Sequence, residues 1–509
     1  MVIKHGLLII FSFWMLFTSA QEAAEISIEH ADELRFNRRE EGYQRLIGNV
    51  ILKQDSTYLY CDSAHFYNEV NRAIAYSNVK MVSDSSTLTC LELTYNGNTK
   101  QGIAMGSVVL QSRNSNLFTD TLYFDRATNE AFFNCYGALH REGSRITAIR
   151  GSYFMDDDRA EFADSVRIVD GTTRVQTDSL IHYSEKRRTF LYARSVIELD
   201  SSVIESDMAQ LDHDRDFYQF WGSVDVNRPG THLEGDSLIF DEAQREFWGY
   251  GRVSWVDSLE NRGLESEFVH VNDSLDWAFA TGQPILKLIE PQDTLFLSAD
   301  SLFLDGLSEE QRGFQAWHHV LFYRGDVQGR CDSMSYRGLD STMEMFRQPI
   351  LWAEEFQITA DSIRLHFKNA KPHQFHATGH GFTVGQKSES RFDQIKGRNI
   401  TGYFNHEGAL YEILVQGNGE TIYFGKDESE DLVGMDRTEC SSMRIGVENR
   451  ELANITFYNQ PIGIFIPMRE VDSTNEHLKD FEWRIAQRPR SKQDLNAAFW
   501  NTTQETQNP

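Results

Sequence analysis

Apolar and polar residues alternate in short runs along most of the chain, and the runs recur. The recurring unit is a small residue, Asp, Ser or Thr, an apolar residue, any residue, and a second apolar residue. It reads Cys61-Asp62-Ser63, Thr119-Asp120-Thr121-Leu122-Tyr123-Phe124, Gly235-Asp236-Ser237-Leu238-Ile239-Phe240, Ala299-Asp300-Ser301-Leu302 and Ala360-Asp361-Ser362. Degenerate copies at Leu91, Gly151 and Glu267 fill the gaps, and weaker ones follow at Arg398 and Ser441, which sets a period of about 30 residues. This is a repeat protein.

Alternation with period two predicts half-buried strands. The inward positions of the first strand of each repeat are Leu34 and Phe36, Phe66, Leu93 and Tyr95, Leu122 and Phe124, Leu238 and Phe240, Val269, Leu302 and Leu304, and Ile363 and Leu365. A second apolar position follows each of these, at Val79, Val108, Val224 and Val253 among others, so every repeat holds two strands. Polar clusters such as Asn96-Gly97-Asn98 and Asp170-Gly171-Thr172 separate the strands, and short turns on both sides imply antiparallel pairing. The strands between turns are long enough to bend across two facing sheets. The expected fold is all-β, an elongated antiparallel stack of two-strand repeats, and the Asp is read as turn chemistry at strand entry.

The ends depart from the pattern. Lys4, the apolar run Gly6–Phe17 and the small residues Thr18-Ser19-Ala20 read as a secretory signal cut before Gln21, so the mature chain is expected to be exported. The repeats then occupy residues 21–470, in stacked segments, and a tail occupies 471–509. Within the tail, Asn475–Gln487 is expected to form a short helix that docks Leu478, Phe481, Trp483 and Ile485 on the sheet end.

Charge narrows the partners. Forty-nine Lys and Arg against 76 Asp and Glu leave a net charge of −27, which argues against nucleic acid, because tracking phosphates needs a basic face. Trp483–Lys492 is the basic exception and reads either as a contact for an acidic partner or anionic lipid head groups, or as a solvated basic end that neutralises an acidic body. No nucleophile elbow, phosphate loop, zinc-protease motif or dinucleotide fingerprint occurs, so no catalytic residue and no cofactor is expected. His373, His376 and His380 lie close in sequence and are compatible with a metal site, but they are read as a surface cluster, with no metal. Cys61, Cys90 and Cys331 occupy the slot that Ala fills in sister repeats and are read as buried free thiols.

The recurring Ala-Asp-Ser-Leu entries, followed by strands such as Ala73–Val79, Ala104–Val108, Phe220–Val224 and Tyr250–Val253, resemble the OstA/LptA-like organic solvent tolerance family over Glu25–Arg469. The tail, with Phe481–Arg484 and Arg488–Lys492, is similar to long OstA-like proteins of the Bacteroidetes type. The resemblance implies an open β-jelly roll, or β-taco, that carries lipopolysaccharide or a related lipid across the periplasm with its acyl chains in the groove. The inward residues named above would then line the groove. Implied partners are other jelly-roll components, docking through edge strands near Glu25–Phe36 and Ile455–Pro467, and an outer-membrane insertase. A structural or adhesive exported solenoid with a closed core is the alternative.

Overall fold

A computed structural model describes residues 24–496 apart from 37–41, 85, 113–114, 142, 290–292, 307–311, 370, 428 and 430. The signal-like segment and the last thirteen residues lie outside the described residues. The chain divides into two compact units, Met1–Glu185 and Lys186–Pro509. Both are built from antiparallel strands joined by short turns, and the described residues form no α-helix. Each unit is a jelly-roll ladder of the kind the alternation predicts.

One deviation recurs in nearly every rung and decides the architecture. Strand Gln44–Gln54 pairs with Thr57–Tyr67, but the register slips between Ile47 and Val50, so that Gly48 and Asn49 face the single residue Asp62. Two residues against one is a β-bulge, which bends the strand and adds twist. Equivalent slips fall between Tyr76 and Val79, Met105 and Val108, and Ala163 and Val166 in the first unit. In the second they fall between Trp221 and Val224, Tyr250 and Val253, and Trp317 and Val320. Both residues of the bulge have left-handed backbones, as at Ser77 (φ 60°) and Asn78 (φ 48°), or Gly222 (φ 74°) and Ser223 (φ 45°). Many of the residue types follow, since Gly has no Cβ to clash and Asn, Asp and His are enriched there among the rest, as at Asn49, Asp164 and His318.

The bulges crease every long strand at its middle. Residues before the bulge, with their partners, build wall one; residues after it build wall two. The recurring Asp therefore stands at mid-strand, which corrects its reading as a strand-entry residue. Its carboxylate holds the neighbouring bulge: Asn49 Nδ2 donates to Asp32 at 2.9 Å, Asn78 Nδ2 to Asp62 at 2.8 Å and Arg252 Nε to Asp236 at 3.0 Å. Its N–H does the same, as in Asp361 N to Gly379 O at 2.8 Å. The small residue before it points into the angle where the walls converge. Cys61, Cys90, Cys331 and Ser206 are all buried there. At Gly397 a Cβ would sit 2.3 Å from the Val415 side chain, so nothing larger fits that crease.

The expected edges hold a correction. Strands Ser27–His30 and Glu33–Phe36 pair with Gln44–Gln54, and among the described residues nothing pairs on their other side. Leu34 and Phe36 are 53% and 54% exposed, so they are not enclosed as inward positions should be. A terminal strand lacks the next rung that would cover its apolar side chains.

The tail gives a second correction. Residues 475–484 form no helix; turns and bends run from residue 473 to 480 and irregular chain from 481 to 484, followed by 3-10 turns at Ile485–Gln487 and Lys492–Asp494. The apolar residues still dock. Leu478 is buried among Phe382, Val384, Ile422, Phe424 and Met435, with Phe481 and Trp483 packed against the same cluster, and Leu495 meets Leu321. The polar attachments come from glutamines of wall two. Gln394 donates to Glu476 O and accepts from Leu478 N, both at 2.8 Å. Gln357 donates to Glu482 O at 2.8 Å, and Gln328 accepts from Arg488 Nε at 2.7 Å. The tail is thus a strap along the outer face of wall two. The basic segment Trp483–Lys492 serves that strap: Arg488 also reaches Glu354 O at 3.0 Å, and Lys492 pairs with Glu265 at 2.6 Å.

Candidate binding furrow

Two creased walls enclose a furrow whose mouth is the double row of turns. In the second unit the furrow holds a cavity of about 480 Å³. Wall two contributes Val226, Leu233, Val253, Trp255 and Leu264, and wall one contributes Phe240, Phe247, Val269, Val271, Ala278 and Leu304. A second cavity, of about 370 Å³, shares Trp255, Arg262 and Leu304 with the first. It adds Leu286, Leu288, Leu295, Phe322 and Val327 opposite Phe314, Tyr336 and Met343. Both have the size and apolar lining of small-molecule sites.

The mouth is charged. Arg228 lies over the Phe240 ring at 6.0 Å and is exposed, and Arg262 lies over the Trp255 ring at 5.2 Å and pairs with Asp257 at 3.4 Å, so their stems cover apolar surface. Glu260 and Arg312 form an ion pair from one row of turns to the other. Beside them Arg324 pairs with Asp326 at 3.0 Å, and burial pushes the Asp326 carboxyl up.

At two other places among the described residues the chain's own side chains fill the furrow. In the first unit the Tyr95 hydroxyl donates to Gln54 Oε1 at 2.5 Å, from wall one to wall two, and Lys100 pairs with Asp55 at 2.9 Å across the turns. The cavity beside Tyr95 measures about 10 Å³, at the lower limit for one water. At the far end of the second unit, Lys387 and Lys426 of one turn row hold Glu451 of the other at 2.5 and 3.2 Å. Asp393 is buried beneath them, accepts Phe424 N–H at 2.9 Å, and is pushed up to about 7 by desolvation.

The alternation read from the sequence therefore sorts into three groups. Phe240, Val253, Val269 and Leu304 line the cavities. Leu238, Val224 and Leu302 are buried nearer the crease, and Ile363 and Leu365 are buried beyond the cavities. Phe66, Val79, Leu93, Tyr95, Val108, Leu122 and Phe124 pack into the filled furrow of the first unit. Trp255, Phe247, Phe314 and Phe322 went unnamed. Trp255 and Phe322 stand two residues after Val253 and Val320, so the alternation of the second strand already carried the signal.

The other candidates do not converge. His380 Nδ1 lies 3.1 Å from Asp361 at a bulge, and His376 Nδ1 lies 3.0 Å from Thr401 Oγ1. All five cysteines are free, and burial pushes the Cys61 and Cys90 thiols up to about 12. No helix among the described residues is long and apolar enough to cross a membrane.

Residues 23–178 match the family described as OstA-like protein. Among solved structures the chain is similar to LptH, the LptA-homologous periplasmic component of the conserved lipopolysaccharide transport device from Pseudomonas aeruginosa. That likeness has 12% identity and a TM-score of 0.14, over 26% of this chain and 79% of LptH. No curated protein matches the chain.

Proposed function

We propose, on the premise that residues 23–178 are an OstA-like domain, that this protein is a periplasmic carrier of lipopolysaccharide or a related amphiphile. The acyl chains lie in the furrow of the second unit, shielded on the way to the outer membrane. The observation that carries the reading is the pair of adjoining cavities, apolar between the walls and charged at the mouth. An amphiphile needs that order of surfaces, since each methylene moved out of water is worth about 0.8 kcal/mol. Polar sugars and phosphates would stay at the turn rows. Carriage needs no covalent step, so the protein acts as a carrier and not as an enzyme.

The filled furrow of the first unit favours a different role there. With Tyr95 and Gln54 closing it, that unit fits a scaffold that docks other jelly-roll components through its open edge strands, in a bridge that ends at an outer-membrane insertase. The structural reading thus applies to the first unit and the cargo reading to the second.

Lipid extracted from protein purified out of its native periplasm, identified by mass spectrometry, tests the proposal. A photo-crosslinker at Phe240 should capture the same lipid, and one at Ile239, on the opposite face, should capture much less. Equal capture at both positions would sink it.

A further inference from the structure

A group of metal-ligating side chains lies on the outer face of wall two, away from the furrow. Strands Phe217–Arg228 and Thr231–Asp241 pair so that Asp225 stands directly opposite Glu234, and Asn227 opposite His232. These positions alternate with Val224, Val226 and Leu233, whose side chains are buried on the furrow side. Like charges directly opposite one another destabilise a ladder. Glu205 stands opposite Asp225 on its other side, but Arg194 takes up that carboxylate at 2.9 Å.

Asp225 and Glu234 are left to share one imidazole. His232 Nε2 lies 3.2 Å from Asp225 Oδ2 and 3.4 Å from Glu234 Oε1. A ring nitrogen carries at most one hydrogen, so it can give a well-aligned bond to only one of the two. A cation can serve all three donors at once. Ligand bonds of 2.0–2.2 Å in a tetrahedral site place neighbouring donors about 3.4 Å apart, which is close to the two separations found here. Asn227 Nδ2 donates to Asp225 Oδ1, which turns Oδ2 toward the imidazole in the manner of an outer-sphere residue that orients a metal ligand. Among the described residues this is the one group of three such side chains with its donor atoms all within 4.8 Å of one another.

We propose that Asp225, His232 and Glu234 bind a divalent transition-metal ion. The imidazole favours zinc, nickel or copper over calcium or magnesium, which take oxygen ligands. Three protein ligands leave a fourth position for water. The ion replaces a repulsive cross-strand pair by a clip between the two strands.

Zinc chloride titrated calorimetrically into the EDTA-stripped full-length protein tests this. Saturable binding at one site is expected, with calcium at least about tenfold weaker. His232→Ala and Asp225→Asn should abolish that site, and Asn227→Ala should weaken it about tenfold. Circular dichroism of each stripped variant, with His232→Gln as a second substitution, checks that the fold is kept. Absence of saturable zinc binding would overturn the proposal. So would a folded His232 variant, Ala or Gln, that binds zinc as the parent does.

Discussion

Gln357 holds the backbone on either side of Trp483: Gln357 Oε1 accepts the Arg484 N–H at 2.7 Å while its Nε2 donates to Glu482 O. The amide thus acts as a neighbouring peptide group would, and it is 1% exposed, so its loss strands buried partners. Gln357→Leu is expected to loosen the strap at a cost of about 1–3 kcal/mol. Trypsin should then cut after Arg484 and Arg490 faster than in the parent, with the ladder itself resistant. An unchanged cleavage rate would refute this.

Asp393 makes stability depend on pH. Desolvation raises its carboxyl from 3.8 to about 7, against the smaller opposing effects of Phe424 N–H and Lys387. The folded chain holds this proton more tightly than the unfolded chain, so the stability it contributes is complete below about pH 4 and is lost as pH rises toward 7. Asp393→Asn should exceed the parent by on the order of 2 kcal/mol above pH 7 and converge with it in acid. Denaturant midpoints across that range provide the measurement.

The cysteines test the repeat register. Cys61 and Cys90 lie on strands separated by Arg72–Val82, about 10 Å apart at the usual strand spacing, which is too far for a disulfide. With both thiols pushed up to about 12 by burial, native protein should label slowly with thiol reagents until it is unfolded. The stability linked to these protonated thiols is present below about pH 9 and is lost as pH rises toward 12. Ala at either position should cost about 1 kcal/mol or less, since Ala fills the slot in sister repeats. A Cys61–Cys90 bridge in peptide mapping would contradict the register.

Leu304 lines both cavities. Leu304→Trp should fill the space where they adjoin and reduce co-purifying lipid severalfold without lowering the melting temperature. Ile239→Trp, on the outer face, is the control. Lipid retained in full by Leu304→Trp would count against the furrow as the binding site.

Edge strands recruit further strands unless something blocks them. Ile462, Ile464 and Phe465 are 74%, 56% and 60% exposed on the terminal strand Ile462–Pro467, and Leu34 and Phe36 are exposed at the other end of the chain. Pro461 and Pro467 lack a ladder donor, so the Leu34 end is the more receptive. Deleting Gln21–Phe36 should abolish docking to a jelly-roll partner in pull-down, whereas Ile464→Lys should weaken it less. Undiminished docking after the deletion would contradict this.

Phe240, Val253, Val269 and Leu304 could be placed on the furrow side from sequence because an alternation of two holds within each half-strand, although it slips by one residue across the crease, as in Leu59, Cys61, Ala64 and Phe66. The crease could not be read that way. Asp62 looks like a turn residue until the two-for-one pairing of Gly48 and Asn49 is seen. Nor does alternation separate a filled furrow from an open one. Tyr95 and Phe240 hold the same place in their repeats, and only what stands across from them, Gln54 in one case and an apolar gap in the other, tells them apart. Gln328, Gln357 and Gln394 carry no local signal, because their partners lie 82 to 160 positions away in the chain.

The crease has an evolutionary corollary. Each bend is specified by a handful of residues within one rung and its neighbour, so no bend depends on how many others exist. A duplication or deletion of one whole repeat would leave every remaining bend intact, whereas a change of a few residues would shift the bulge off its Asp and be selected against. Length in such a lineage should drift in whole repeats, by unequal crossing-over, and the reach of the molecule becomes a trait that can change without inventing a new sequence.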